Sequence, residues 1–189
     1  MKKRAYIIHG WDGKPNSNWF PWLKQELEKN DFDVILPQMP DPEVPTIEKW
    51  VGYLDKLVKN PDENTYLIGH SMGCQAIIRY LEKINTKIGG IILVAGFFTL
   101  TNLETQEEQN IAKPWLETLI NFKKVKNSTN HIISLFSDND PYVPAENFDL
   151  FKNNLKAEVI VKKNAGHFNE SDGFTKLPLV LKKVLKISK

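Results

Sequence analysis

Among 189 residues there is a single cysteine, Cys74, so no intrachain disulfide can form and a reducing compartment is the natural setting. An excess of one charge is also missing. Twenty-five Lys and Arg stand against 23 Asp and Glu, a formal net charge of +2, which is too small to argue for nucleic acid. The lysines gather at the ends, Lys2-Lys3-Arg4 and Lys182-Lys183 with Lys186 and Lys189, which reads as solvated surface. No apolar run approaches the length of a membrane-crossing helix. Met1-Lys2-Lys3-Arg4 has the charge of a signal-peptide start, but only Ala5 to Ile8 follow before His9-Gly10, far short of its apolar core. A cytoplasmic protein with no membrane or nucleic-acid partner is therefore expected. No HExxH, no clustered Cys and His and no P-loop are present, so neither a metal nor an organic cofactor is expected. There is no repeat, low-complexity tract or linker, and the length suits one domain over 1–189 with a core of its own.

What the chain does contain is an alternation of short apolar runs with helical periodicities. Ala5-Tyr6-Ile7-Ile8, Asp33-Val34-Ile35-Leu36, Thr65-Tyr66-Leu67-Ile68, Gly90 to Ala95, His131 to Phe136 and Ala157 to Val161 read as six strands. Between them, Phe20, Leu23 and Leu27 repeat with helical spacing, with Pro21 in the first turn and 16–18 offering capping side chains. Ile47, Trp50, Val51, Leu54 and Val58 form the most regular helical face, with Thr46 as its N-cap. Four prolines exclude regular structure from 37–45. A short helix is expected over 115–122, another around Phe148 and Phe151, and a closing one from Pro178. The polar stretch inside 97–115 reads as a small lid, or as a plain surface loop. Strands alternating with helices predict an α/β fold, a six-stranded parallel sheet with right-handed crossovers.

In such a sheet ligands collect beyond the carboxyl ends of the strands, so the residues following each strand carry the functional information. After the third strand comes Gly69-His70-Ser71-Met72-Gly73, followed by the helical run from Cys74 to Leu81. A G-x-S-x-G turn between strand and helix is a nucleophile elbow, where the serine hydroxyl stands clear of the sheet and each flanking glycine avoids a clash. Cys74 reads as a packed core residue. After the fifth strand come Asp138-Asn139-Asp140-Pro141, and after the sixth Asn164-Ala165-Gly166-His167-Phe168. A serine, an acid and a histidine thus share one rim in the chain order associated with α/β-hydrolase triads.

The assignment of roles follows from the chemistry. The Ser71 hydroxyl needs a base, which His167 supplies, and a carboxylate must hold that imidazole. Asp138 and Asp140 compete for that place. Pro141 restricts the residue before it, which favours Asp140, while Asp138 suits the start of the turn. Oxyanion donors are expected from the amide of Met72 and from that of Trp11, in the loop after the first strand. His9 and His70 read as structural, and His131 has no partner in view. Phe97, Phe98 and Trp115 are candidates for the substrate pocket, as Trp11, Trp19 and Phe20 are for the rim, although core packing explains any one of them equally well.

The chain resembles the small α/β-hydrolases of the retinoblastoma-binding protein 9 and YdeN-like family nearly end to end. The resemblance runs through His9-Gly10, Trp19-Phe20-Pro21-Trp22-Leu23-Lys24, Met39-Pro40-Asp41-Pro42, the elbow, Pro114-Trp115, Asp140-Pro141 and Gly166-His167-Phe168. It implies a minimal α/β-hydrolase with strand order 2-1-3-4-5-6, helices on both faces, and a triad at Ser71, Asp140 and His167. It also implies a serine hydrolase acting on a small-molecule ester or amide, with no cofactor. Two other functions are compatible with the same residues: acyl transfer to an acceptor other than water, and a protein-interaction module on a hydrolase fold.

Overall fold

The apolar run after Arg4 becomes the second strand from one edge of a sheet, with parallel neighbours on both sides. In a computed structural model, which describes residues 2–189, the strands are β1 (Lys3–Ile8), β2 (Phe32–Ile35), β3 (Thr65–His70), β4 (Gly90–Val94), β5 (Ile132–Ser137) and β6 (Glu158–Lys162). They form one parallel six-stranded sheet in the order β2-β1-β3-β4-β5-β6. Register pairs Ala5 with Val34 on one side of β1 and with Tyr66 on the other.

Strand alternation sorts the core into two layers. Tyr6, Ile8, Leu67, Ile91 and Leu93 point to one face; Ala5, Ile7, Tyr66, Ile68, Ile92 and Val94 point to the other. Helices α2 (Ile47–Leu57) and α3 (Met72–Leu81) cover the first face with Trp50, Val51, Leu54 and Ile77. Helices α1 (Phe20–Glu28) and α7 (Pro178–Ile187) cover the second with Phe20, Leu23, Leu27, Val180 and Val184. All of α3 is buried, because the sheet lies on one side of it and neighbouring helices on the other. Thr46 caps α2 as expected, accepting from Lys49 N at 3.3 Å.

The expected capping of α1 by residues 16–18 does not occur. Its N-cap is Trp19, with no side-chain cap, and Trp19 is fully buried in the core rather than at the rim. Asn18 instead turns its side-chain oxygen to the backbone N–H of Glu170, at 2.8 Å.

A second departure concerns 97–122. The segment lacks regular structure to Thr105 and then forms α4 (Gln106–Glu117), with α5 (Phe122–Asn127) following, where a helix over 115–122 was expected. Thr105 and Glu108 close a reciprocal capping box, which nucleates the helix nine residues earlier than the aromatic pattern suggested. Buried Arg79 of α3 donates to Trp115 O and Thr118 O, both at 2.9 Å, tying the last carbonyls of α4 to the core. The last crossover, α6 (Glu146–Leu150), continues as a π-turn over Phe151–Leu155.

Two imidazoles, His9 and His70, are buried most deeply at the carboxyl edge of the sheet. His9 donates from Nδ1 to Gly10 O at 2.8 Å and accepts at Nε2 from Met39 N at 3.0 Å. His70 donates from Nε2 to His167 O at 2.8 Å. Burial lowers His9, and burial followed by the neighbouring His167 pushes His70 down from 6.5 to about 3. Both are neutral in the fold yet protonate in the unfolded chain, so unfolding takes up protons between about 6.5 and about 3. Stability conferred by keeping His70 neutral is full above that window and declines as pH falls through it. The melting temperature should therefore drop on acidification from pH 6.5 to 4, and His70→Gln, though less stable throughout, should show a shallower drop. Equal slopes for both proteins in a calorimetric pH series would contradict this.

Candidate active site

The geometry of the site begins at the junction of β3 and α3. Ser71 sits there at φ 51° and ψ −119°, a conformation that L-residues avoid and that costs about 1–3 kcal/mol. Its amide donates to Val94 O and its carbonyl accepts from Cys74 N, both at 2.9 Å, so the strained turn leaves its backbone satisfied. A Cβ on Gly73 would lie 2.4 Å from Ile8 O, and one on Gly69 would lie 2.8 Å from Cys74 N. Only glycine lets the start of α3 rest against the end of β1. Cys74, one turn into the helix, is buried and its thiol is pushed up by that burial, so it is no rival nucleophile.

His167 stands in the loop after β6, and several side chains fix that loop. Its Nδ1 lies 2.8 Å from Asp140 Oδ2 and 3.0 Å from Oδ1. The Asp140 side chain is only 1% exposed and that of His167 10%, so the pair is shielded from water. Asp140 Oδ1 also accepts from the amides of Tyr142 and Val143, at 2.9 and 3.1 Å, which sets the carboxylate plane. Asp138 points elsewhere and accepts from Asn164 N at 2.8 Å, so it links the β5 and β6 loops rather than opening its own turn.

Three supports were not visible in the sequence reading. Asp172 Oδ2 accepts from the amides of His167 and Asn169, at 2.9 and 3.0 Å. Asn139 Oδ1 accepts from Gly166 N at 2.9 Å, and Ser137 Oγ from Ala165 N at 3.0 Å. The spacing Asn169-x-x-Asp172 before Gly173 is a capping-box pattern that could have pointed to the first of these.

Ser71 and His167 both open onto a cavity of about 760 Å³, within the size range of small-molecule sites. Trp11 and Met72 line it as well, and the backbone hydrogen bonds of loops and helix ends include none from the amide of either residue. The expected aromatic pocket needs correction. Phe97 and Phe20 line the cavity, joined by Leu100, Leu103 and Tyr142, but Phe98 and Trp115 do not. Phe98 packs on Phe122 and Phe151, and Trp115 is buried against Trp50 with its indole N–H on Pro45 O at 3.0 Å. Phe98 is drawn inward by Phe122 and Phe151, and Trp115 by Trp50 and the carbonyl of Pro45, so both pack with the core. His131 is exposed at the start of β5, at the opposite end of the sheet. Among the described residues no group of three or more His, Cys, Asp or Glu could hold a metal ion, and no helix is long and apolar enough to cross a membrane.

Known proteins resemble the chain over nearly its whole length. The chain is 35% identical over 183 residues to the protein YdeN of Bacillus subtilis (strain 168), covering 95% of this chain and 93% of YdeN. It is 28% identical over 186 residues to the serine hydrolase RBBP9 of Rattus norvegicus, covering 96% and 95%. The crystal structure of the B. subtilis ydeN product superposes with a TM-score of 0.89 at 32% identity, covering 98% of each chain. Est1E from Butyrivibrio proteoclasticus, solved with ferulic acid bound, matches with a TM-score of 0.70 at 16% identity, covering 98% of this chain and 86% of Est1E, a likeness of fold. A model of one family, described as serine hydrolase, matches residues 5–186. The chain is an α/β-hydrolase and an enzyme, and it belongs to the serine hydrolase family.

Proposed function

We propose that the protein cleaves small carboxylic esters through an acyl-enzyme, with Ser71 as nucleophile, His167 as general base and acid, and Asp140 as the group that orients and stabilises the imidazole. The observation that carries this reading is that His167, paired with the shielded Asp140, lines the same cavity as the strained Ser71. With Nδ1–H donated to Asp140, the acceptor nitrogen of His167 is Nε2. Ser71 Oγ passes its proton to that nitrogen as it bonds to the carbonyl carbon, and the C=O electron pair moves to oxygen. The amides of Trp11 and Met72 receive the oxyanion. Collapse expels the alcohol, which takes the proton back from His167 and leaves the acyl group on Ser71. Water then repeats the sequence, giving its proton to His167 and releasing the acid. An amide would follow the same steps with an amine as leaving group.

Ser71→Ala removes the only atom that forms the covalent bond, so a fluorophosphonate probe should label the wild-type protein and not the variant, with the fold intact by circular dichroism. Labelling of the variant at wild-type level would remove Ser71 from the mechanism.

The two aspartates separate cleanly. Asp140→Asn should lower kcat by about 10⁴, the size of the effect when the acid of a serine triad loses its charge. Asp138→Asn touches only the link to Asn164 and should cost activity modestly. The reverse ranking in steady-state kinetics would move the acid to Asp138.

The loop after β4 gives the cavity three apolar side chains, Phe97, Leu100 and Leu103, a surface that suits a small acyl group. Butyryl esters should accordingly be turned over faster than palmitoyl esters of the same alcohol. Preference for the long chain, measured as kcat/KM below its critical micelle concentration, would contradict a short acyl site.

A further inference from the structure

The cavity has two chemically different walls, and His167 determines which part of a substrate each receives. One wall is Met72, Phe97, Leu100 and Leu103. Its two polar members are each half engaged, Asn102 Nδ2 donating to Pro141 O at 2.6 Å and Glu108 Oε2 accepting from the amide and hydroxyl of Thr105 at 2.8 and 3.0 Å, which leaves one side-chain oxygen of each. This wall offers a substrate mainly hydrocarbon.

The other wall joins the loop after β1 to the loop after β6 through the bond from Glu170 N to Asn18 Oδ1. Beside Trp11 and Phe20 it includes the polar residues Asp12, Lys14, Asn18, Glu170 and Ser171. Among the described residues the carboxylates of Asp12 and Glu170, the ammonium of Lys14, the amide N–H₂ of Asn18 and the hydroxyl of Ser171 have no hydrogen bond or ion pair, so they are available to a ligand. Charges of both signs stand beside an amide and a hydroxyl. Such a surface suits a neutral group that both donates and accepts, which is the description of an alcohol hydroxyl.

Direction comes from the mechanism. The departing oxygen must collect its proton from His167, so the leaving group lies along the wall built from the loop of His167 itself. The acyl chain, bonded to the same carbon, is left the hydrocarbon wall. We propose that the natural leaving group is a polyhydroxylated alcohol and the acyl group a plain short hydrocarbon chain, an inference that rests on the ester-cleaving mechanism proposed above. An alkyl alcohol of the same length makes none of these hydrogen bonds, and a site built to bind hydroxyls discriminates against such an analogue.

The test compares glycerol 1-monobutyrate with butyl butyrate on the full-length protein. Each kcat/KM is divided by that ester's hydroxide-catalysed rate constant, which removes the intrinsic difference between the two leaving groups. The corrected ratio should favour the glycerol ester at least about tenfold, a modest share of the discrimination available to hydroxyl-binding sites because this wall is partly open to water. The double variant Glu170→Leu with Ser171→Leu, checked for folding by circular dichroism, should bring the ratio toward one. Fluorophosphonate labelling of Ser71 is run in parallel. A labelled wild-type protein with a ratio near one or below, with no turnover of the glycerol ester, or with an unchanged ratio in the double variant overturns the inference and leaves the mechanism standing. Absence of labelling at Ser71 overturns the mechanism and this inference together.

Discussion

The contact on which the site depends is the one between the first turn of α3 and the end of β1. Gly73 rests where any side chain would strike the carbonyls of Ile8 and His9, within 2.4 and 2.6 Å. That approach forces Ser71 to φ 51°, since a relaxed strand-to-helix turn would carry α3 away from the sheet. The same approach brings Met72 and Trp11 to one cavity. Strain is not confined to the serine. Ala95 after β4 and Phe168 after His167 also have positive φ, at 49° and 59°, and neither residue type favours that region. Local conformational cost is concentrated at the carboxyl rim, and two packed core layers beneath it must hold it there.

The proline-rich stretch 37–45 has a matching logic. Proline removes backbone donors but leaves every carbonyl, so the segment has more acceptors than its own amides can satisfy. Three tryptophans supply what is missing. The indole N–H of Trp50 reaches Pro40 O at 2.8 Å, that of Trp11 reaches Glu43 O at 2.8 Å, and that of Trp115 reaches Pro45 O at 3.0 Å. Asp12 N adds a bond to Pro42 O at 2.7 Å. One irregular segment thereby fastens the loop after β1 to α2 and α4. Trp115 looked like a pocket residue because it is aromatic and near a rim loop, whereas its indole serves as a donor to a chain stretch that is far away in sequence.

This contrast shows what was legible in the residues. Strand existence was readable from β-branched apolar runs such as Ile91-Ile92-Leu93-Val94, because burial on both faces leaves a continuous signal. The parallel sheet and its helix-covered faces followed from alternation. The order of strands came from resemblance, since nothing local encodes which strand pairs with which. Side-chain destinations in loops were harder to read. Asn18 resembled a helix cap and instead binds Glu170 N, 152 residues away. Asp138 and Asp140 were separable by Pro141, a local constraint, but the supports at Asp172, Asn139 and Ser137 act between loops that meet only in the fold. The start of α4 at Thr105-x-x-Glu108 was legible, but the aromatic pattern from Trp115 onward obscured it.

Four histidines of identical chemistry end in four environments, and the difference among them is hydrogen-bond capacity. His9 uses both ring nitrogens inside the fold, one as donor to Gly10 O and one as acceptor from Met39 N, so it has none left for a substrate. His70 spends Nε2–H on the carbonyl of His167, and its burial keeps it uncharged, so no repulsive cation arises beside the ring it supports. His131 is exposed far from the cavity. His167 alone combines a carboxylate on Nδ1, a backbone held at N by Asp172 and at O by His70, and a place on the cavity wall. Its peptide unit is thus gripped on both sides while its ring has one uncommitted nitrogen. A base that must meet the same hydroxyl in every turnover requires a fixed backbone and a free lone pair, and the neutral neighbour that supplies part of that grip is the residue directly before the proposed nucleophile.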